Sequence, residues 1–281
     1  MPNVFLTGAS AGIGLETAKL LVREGFHVWG TSRDMARLPQ WPNFHPVQLD
    51  LNQSDAIEQA WKTALQEAQR IDILINNAGN GYFGPAEMLP MKIWREQMQT
   101  LVLGPLQLIQ KALPQMRAHG GGLIINISSL AARFPIPFMG AYNAAKAAMS
   151  SLTQTLRLEL GHDNSIRIVD LQPGDIRTAF HQSMRVVEEI DADVYSPSIE
   201  NAATVIQSNM QSAPPPEIVA QEILRIIHNP ASGPVLKAGS FFQTIMAAAG
   251  ARVATPAMKE HALRKFYKLD QKRLIKPASG E

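Results

Sequence analysis

The sequence predicts a single α/β domain: a doubly wound parallel sheet in three layers, α/β/α, with a helical extension at its C-terminal end. Three observations carry this expectation. Short apolar runs alternate with helix-length patterns almost to residue 240. Most of those runs are continuously apolar, as strands buried on both faces of a parallel sheet are. The 281 residues, 46% of them hydrophobic, suffice for a full core, and no linker, low-complexity tract or internal repeat divides them.

Taken in order, the first strand is Asn3–Leu6, and Thr7-Gly8-Ala9-Ser10-Ala11-Gly12-Ile13-Gly14 leads from it into a helical pattern over residues 12–24. Strands at 27–31 and 45–49 precede a helix at 54–69 and a fourth strand at Ile73–Asn76. A long helical pattern spans 92–118, followed by a strand at Gly122–Ile127 and a helix at 141–160. A strand at 166–171, a helix at Glu217–His228 and a strand at 234–237 complete the alternation. With right-handed crossovers this order gives an open sheet with helices on both faces. Ligands of such sheets bind at the carboxyl ends of the strands, near the switch in strand order. Every motif below falls just after a strand, on that edge.

Bulk composition excludes more than it selects. A formal net charge of +2, from 26 basic and 24 acidic residues, gives no case for a nucleic-acid surface. Zero cysteines exclude disulfides and thiolate metal sites and fit a reducing compartment, so a cytoplasmic location is expected. Asn3–Leu6 reads as a buried strand rather than part of a signal peptide. The seven histidines are scattered without His-x-x-x-His spacing, and no metal site is expected.

A strand, a glycine-rich turn and a helix N-terminus form an anion site, because free N–H groups and the helix dipole face the ligand. Gly8 permits the tight turn, Gly12 lets backbone approach a pyrophosphate, and Gly14 allows close helix–strand packing. Ser10 and Ile13 belong to the same cradle. A plain glycine-rich turn is the competing reading. The second strand ends Gly30-Thr31-Ser32-Arg33, with serine where an acidic residue would bind a ribose hydroxyl and an arginine suited to a phosphate. NADP(H) is therefore expected over NAD(H). Asp50-Leu51 ends the third strand, where the carboxylate either accepts from adenine or caps the next helix. Asn76-Asn77-Ala78-Gly79 ends the fourth, with asparagines able to bind backbone and a glycine leaving room for ribose.

Tyr142 and Lys146, four residues apart on a helical pattern, share one face. A tyrosine titrates near pKa ~10, and an ammonium nearby, with an oxidised nicotinamide, lowers that value. Tyr142 then exchanges a proton with a carbonyl or alcohol oxygen. Ser129, in the loop after a strand, holds that oxygen, and Lys146 reaches the ribose hydroxyls. Pro173-Gly174-Asp175-Ile176-Arg177-Thr178 turns the chain over the nicotinamide, and the Thr178 hydroxyl is placed to bond its carboxamide. Pro173, Gly174, Ile176 and Thr178 join the expected cofactor contacts.

These residues resemble the short-chain dehydrogenase/reductase family, in its compact single-domain branch, over about residues 3–180 and into the helix after Pro216. The segment from Asn76 to Pro85, with Thr31-Ser32-Arg33, looks most like its 17β-hydroxysteroid and retinol dehydrogenase-like members. The resemblance implies a Rossmann-type fold, reversible carbonyl/alcohol chemistry on a small molecule, and homodimers or homotetramers built on the helices at 92–118 and 141–160. One departure stands out. Members usually carry an asparagine in a Val-Asn-Val-x-Gly-like run, which holds a water connecting the lysine to solvent. Here the run is Thr100-Leu101-Val102-Leu103-Gly104, and Leu101 cannot hydrogen-bond. Gln99 is the nearest amide and is out of register.

Residues 1–240 are expected to form the catalytic domain, with a substrate lid at about 179–216, and 241–281 the helical extension. The lid segment carries Met184, Val186, Val187, Ile190, Tyr195 and Met210 with no tidy period, which fits either a hydrophobic substrate or a surface loop with ordinary core anchors. Asp175, Glu188, Glu189, Asp191 and Asp193 allow polar contacts there. Thr255-Pro256 reads as an N-cap and first helical residue, and Met258, Ala262, Phe266 and Leu269 recur at helical spacing. Seven basic and two acidic residues give 255–276 a net +5. This helix either docks on its own subunit or a partner, or lies on an anionic membrane surface. The uncharged run at 238–251 is too short to span a bilayer. Two functional readings follow: an NADP(H)-dependent oxidoreductase, or an NADP(H)-binding sensor or interaction protein with weak turnover.

Overall fold

Val4, Phe5 and Leu6 are fully buried, as are Leu74, Ile75, Ile124 and Ile125, so the first, fourth and sixth strands have no solvent face. That is why their sequences run apolar without alternation. The computed structural model describes residues 1–161, 165–178, 185–186, 192–240 and 255–270.

The first half contains β1 (Asn3–Leu6), α1 (Gly12–Arg23), β2 (His27–Ser32), β3 (Phe44–Gln48), α2 (Ser54–Ala68) and β4 (Ile73–Asn76). A two-residue β5 (Tyr82–Phe83), α3 (Met91–Met98), a π-helical turn (Gln99–Leu103), α4 (Gly104–Ala118), β6 (Gly122–Ile127) and α5 (Gly140–Glu159) come next. The rest is β7 (Ile166–Pro173), β8 (Arg185–Val186), α6 (Ser198–Ser212), α7 (Glu217–His228), β9 (Val235–Ala238) and α8 (Pro256–Phe266).

Seven strands form one sheet in the order β3-β2-β1-β4-β6-β7-β9, and every neighbouring pair is parallel. The chain winds outward from β1 to β3, then returns to place β4 on the other side of β1. The switch in strand order therefore lies between β1 and β4, and open α/β sheets bind their ligands at such a switch, at the strands' carboxyl ends. One face of the sheet is covered by α1 and α7 through Ala18, Leu21, Val219, Ile223 and Ile226. The other is covered by α2 and α4 through Ile57, Trp61, Leu108, Ile109 and Met116. Each fully buried Leu or Ile contributes about 1.5–3 kcal/mol of burial. Within the sheet, Asn76 donates to Asn126 (2.8 Å), which donates to Thr153 (2.9 Å), so polar side chains on β4 and β6 stay paired in the core.

The fold departs from the sequence expectation in four places. The helix expected at 92–118 is two helices joined by the π-helical turn, whose Gly104 N–H reaches back to Gln99 O. The cause is Pro105, at the start of α4, which has no N–H for the carbonyl of Leu101. The expected irregular lid at 179–216 contains α6, which buries Asn201, Ala202, Ile206 and Met210 along one face. Residues 179–184 and 187–191 of that lid, and the run at 241–251, lie outside the described residues. The β5–β8 pair, in register Tyr82↔Arg185 and Phe83↔Val186, is too short to leave a sequence pattern.

The fourth departure concerns α8. Thr255 caps it as expected, accepting from Met258 N–H (3.3 Å) behind Pro256. It docks on its own chain: Ser198 donates to Leu269 O (2.6 Å) and Asn201 to Lys268 O (3.1 Å). However, Met258, Ala262 and Phe266 face solvent, and the docked side presents Leu263, Tyr267 and Leu269 to Phe83, Met139 and Ile206. Of the stripe expected from apolar spacing only Leu269 docks, because the anchor is a tyrosine just past the helix end. Among the described residues no helix is long and apolar enough to cross a membrane.

Candidate active site

The turn after β1 is tied to its neighbours by backbone and by Thr7. Ala9 N–H bonds Thr31 O (2.8 Å), fixing the turn to the end of β2. The buried Thr7 hydroxyl accepts from the backbone of Asn77 (2.9 Å) and Ala78 (3.0 Å), tying it to the loop after β4. Gly8 sits at φ +71°, and a Cβ there would lie 2.8 Å from Ala78 Cα. A Cβ on Gly14 would lie 2.1 Å from Gly8 O and 2.6 Å from Asn77 Nδ2, so this glycine packs helix start against turn rather than helix against strand. The Asn77 amide donates to Thr7 O (2.9 Å) and Gly8 O (3.3 Å), which turns its side chain onto the cradle.

This leaves backbone donors uncapped at the start of α1. α1 begins after Ala11 with no side-chain cap, so the first N–H groups, over Gly12, Ile13 and Gly14, face the crevice without one. Ser10 is half-buried in the same turn. Gly12 lies opposite Thr178, whose Cβ would be 3.2 Å from a Cβ added there, so the loop after β7 closes on the cradle. Pro173 and Ile176 of that loop are buried and Gly174 half-buried. The residues present therefore fit a dinucleotide.

At the end of β2, Ser32 is nearly buried and accepts from Asp34 N–H (3.2 Å). Arg33 is exposed at the same edge. The Asp34 carboxylate accepts from Ala36 N–H (3.0 Å), which turns it into its own short helix. Asp50 does not cap the next helix: α2 begins after Gln53 with no side-chain cap, and the Asp50 carboxylate instead accepts from Asn52 N–H (3.0 Å) and the Asn52 amide (3.1 Å) in the turn before it. Leu51 is buried beneath, and its carbonyl accepts from Gln99 Nε2 (3.0 Å). That bond takes the Gln99 amide away from the catalytic face.

Ser129, Tyr142 and Lys146 come together at the carboxyl end of β6. Ser129 caps the short turn after β6, accepting from Ala131 N–H (3.1 Å), and donates to Pro173 O (3.4 Å). Its hydroxyl is hydrogen-bonded to the Tyr142 phenol. The start of α5 is held by Asn143, which donates to Ile136 O (2.8 Å) and accepts from Ile136 N–H (3.2 Å). One turn on, the buried Lys146 ammonium donates to Ile127 O (2.7 Å) and lies 5.7 Å from the centroid of the Tyr142 ring. Burial pushes the Tyr142 phenol up to about 12; the Ser129 hydrogen bond counters this and the Asp175 charge adds to it. Burial likewise holds the Lys146 ammonium down, at about 8, against support from the Asp170 carboxylate.

Asp170, whose charge supports the Lys146 ammonium, is a residue that motif reading missed. It is buried in β7 and accepts from Ser128, from Ser150 (2.6 Å) and from Gln172 Nε2 (2.7 Å). A charged residue inside the apolar run 166–171 was the available signal. Tyr267 also went unnoticed, since only the docking of α8 brings it to the cluster containing Tyr142. Leu101 is buried against Val102, Ala145 and Tyr142. A Cβ on Gly79 would lie 2.9 Å from Leu101 Cδ2 and 4.0 Å from Lys146 Nζ, so the leucine occupies the ground beside the ammonium.

A dinucleotide cradle at the strand switch, facing a phenol paired with a buried ammonium, defines a nicotinamide-dependent oxidoreductase of the CH–OH/C=O class. The chain belongs to the short chain dehydrogenase family, whose model matches residues 2–189. It is 31% identical over 268 residues to the 3-ketodihydrosphingosine reductase of Bacteroides thetaiotaomicron, covering 94% of this chain and 97% of that one. A short-chain dehydrogenase from Streptomyces avermitilis superposes with a TM-score of 0.78 at 24% identity, over 96% of this chain and 97% of that one. The closed form of a serine dehydrogenase complexed with NADP+ gives 0.74 at 26% identity, over 86% and 96%.

Proposed function

We propose that the protein interconverts a carbonyl and an alcohol on an apolar small molecule with NADP(H), using Tyr142 as acid/base, Lys146 as its electrostatic support and Ser129 to hold the substrate oxygen. The observation that carries this reading is the Ser129–Tyr142 hydrogen bond with the buried Lys146 ammonium one turn away. When bound, the nicotinamide supplies or accepts hydride. Gly8, Ser10, Gly12, Ile13 and Gly14 would hold the pyrophosphate; Asp50, Leu51, Asn77, Ala78 and Gly79 would flank the adenosine and riboses. Pro173, Gly174, Ile176 and Thr178 would cover the nicotinamide. The preference for NADP(H) rests on Arg33, exposed beside the cradle, and on Asp34 being occupied by its own turn.

In reduction, the Tyr142 phenol gives its proton to the carbonyl oxygen; in oxidation, it takes the proton from the alcohol. A phenol at about 12 is a reluctant acid, and the Lys146 ammonium stabilises the phenolate left behind. Ser129 donates to the same oxygen and orients it. Phe83, Met139, Ile206 and Tyr267 gather beside Tyr142 as an apolar wall. The relative named for 3-ketodihydrosphingosine, a long-chain ketone, supports a substrate of that character. A homodimer or homotetramer built on α4 and α5 is part of the proposal, supported by Leu103 (48% exposed) before α4 and Leu158 (76%) on α5, and light scattering reads its mass.

NADPH oxidation over a panel of ketones and aldehydes of graded chain length tests the reading. Turnover that rises with chain length is expected. NADPH binding without turnover on any member would favour the sensor, which the assembled Ser129, Tyr142 and Lys146 speak against.

A further inference from the structure

Two large apolar side chains of α8 stand in solvent although the helix is docked on its own chain. Met258 and Phe266 are 59% and 48% exposed, and the exposed Ala262 lies between them. Spaced four residues apart, the three form one stripe along the helix. This stripe is not the docked side. Lys259, Leu263 and Tyr267, also four apart, are the positions that the protein covers, wholly or in part. Leu263 and Tyr267 join the cluster that includes Phe83, Met139 and Tyr142, and the Lys259 ammonium lies 6.0 Å from the centroid of the Phe134 ring. α8 therefore has two apolar sides, one filled by its own chain and one open.

Charge selects what the open side meets. Lys259 and Lys265, three residues before and after Ala262, flank the stripe on its two edges. Glu260 and Arg264, two residues from Ala262, lie on the opposite side of the helix, where Arg264 is held by Asp270 (3.1 Å). Seven basic against two acidic residues over 255–276 leave the remainder of the chain net acidic, so positive charge is concentrated at this helix. A second copy would set one lysine-flanked stripe against another. An apolar stripe between lysines instead fits a surface that is apolar beneath and anionic above, where the lysine stems lie along the acyl boundary and the ammonium groups reach phosphate. We propose that the open side of α8 docks the protein on an anionic lipid surface, with Met258 and Phe266 at the acyl boundary and Lys259 and Lys265 at the phosphates. Its 11 residues lie along the bilayer, being too few to cross it. The covered side borders the cluster containing Tyr142, so docking would hold that pocket one helix diameter, ~10 Å, behind the lipid.

Co-sedimentation of the full chain with phosphatidylglycerol vesicles and with phosphatidylcholine vesicles tests this, beside light scattering without lipid. The wild type should bind phosphatidylglycerol at least roughly tenfold more tightly than phosphatidylcholine, and added salt should narrow the difference. Lys265→Gln should weaken binding roughly fivefold, and Met258→Ser with Phe266→Ser roughly hundredfold. Lys62→Gln, at an exposed position of α2, should leave binding unchanged. Kd for NADPH and Tm separate lost docking from lost folding, and if the double variant fails there, Lys265→Gln and the salt dependence decide. A wild type that stays in the supernatant, equal binding to both lipids, or binding that survives the apolar substitutions overturns the proposal. A smaller particle mass in the double variant, with no lipid binding by the wild type, would assign the stripe to a second copy instead.

Discussion

Replacing Leu101 by asparagine tests how the proton reaches Lys146. Leu101 is 2% exposed, in the π-helical turn that Pro105 creates, and flanks Gly79 together with the lysine. Asparagine is close to leucine in size, so its amide would stand where the leucine methyls now lie, within reach of the ammonium. Removing the buried leucine costs about 2–3 kcal/mol of burial, and an amide that finds only one partner there costs about 1 kcal/mol more. For a chain of this length each kcal/mol lowers Tm by about 2–4 °C, so a fall of roughly 6–16 °C is expected. Against that loss, a hydrogen bond to a charged group worth about 1.5 kcal/mol raises kcat up to roughly tenfold if delivery of the proton limits turnover. Steady-state NADPH oxidation at several pH values, with a solvent isotope effect, reads the outcome, and Leu101→Met serves as the volume-matched control. A lowered Tm with kcat no higher than that of Leu101→Met would refute the idea that the leucine obstructs a relay.

Arg33→Ala should lower kcat/KM for NADPH by roughly ten- to hundredfold, as loss of a charged hydrogen bond does, with little change for NADH; equal losses for both would remove the phosphate role. Reduction needs Lys146 charged, and its ammonium, held at about 8, loses its proton as pH rises, so kcat/KM for a ketone should fall through that region. Asp170→Asn removes the charge that supports the ammonium and should move this falling limb to lower pH; an unmoved limb would assign it to another group.

The sheet was legible in the chain because its strands are buried on both faces, which leaves short apolar runs such as Leu123–Ile125, here bounded by Gly122 and the polar Asn126. The cradle and the Tyr142–Lys146 pair were legible because each depends on local spacing within one element. What escaped reading depends on tertiary approach. Asp170 acts on Lys146 from a neighbouring strand, and Tyr267 reaches Phe83 and Met139 only because the residues just past α8 bond to Ser198 and Asn201. The π-helical turn was partly visible, since Pro105 inside a helical pattern signals a missing bond, but whether a kink, a break or a wider turn results is decided by packing. α6 hid because its buried face includes the polar Asn201, which apolar periodicity does not count.

The measurement that bears most directly on the chemistry is turnover of Tyr142→Phe beside its affinity for NADPH. The substitution removes one hydroxyl and keeps the ring that packs with Met139 and Ala145. Loss of general acid catalysis should lower kcat by roughly 100- to 10,000-fold, while Kd for NADPH and Tm stay near wild type. A variant that keeps most of its turnover would show that the proton comes from elsewhere, and Ser129, Tyr142 and Lys146 would then lose their places in the reaction.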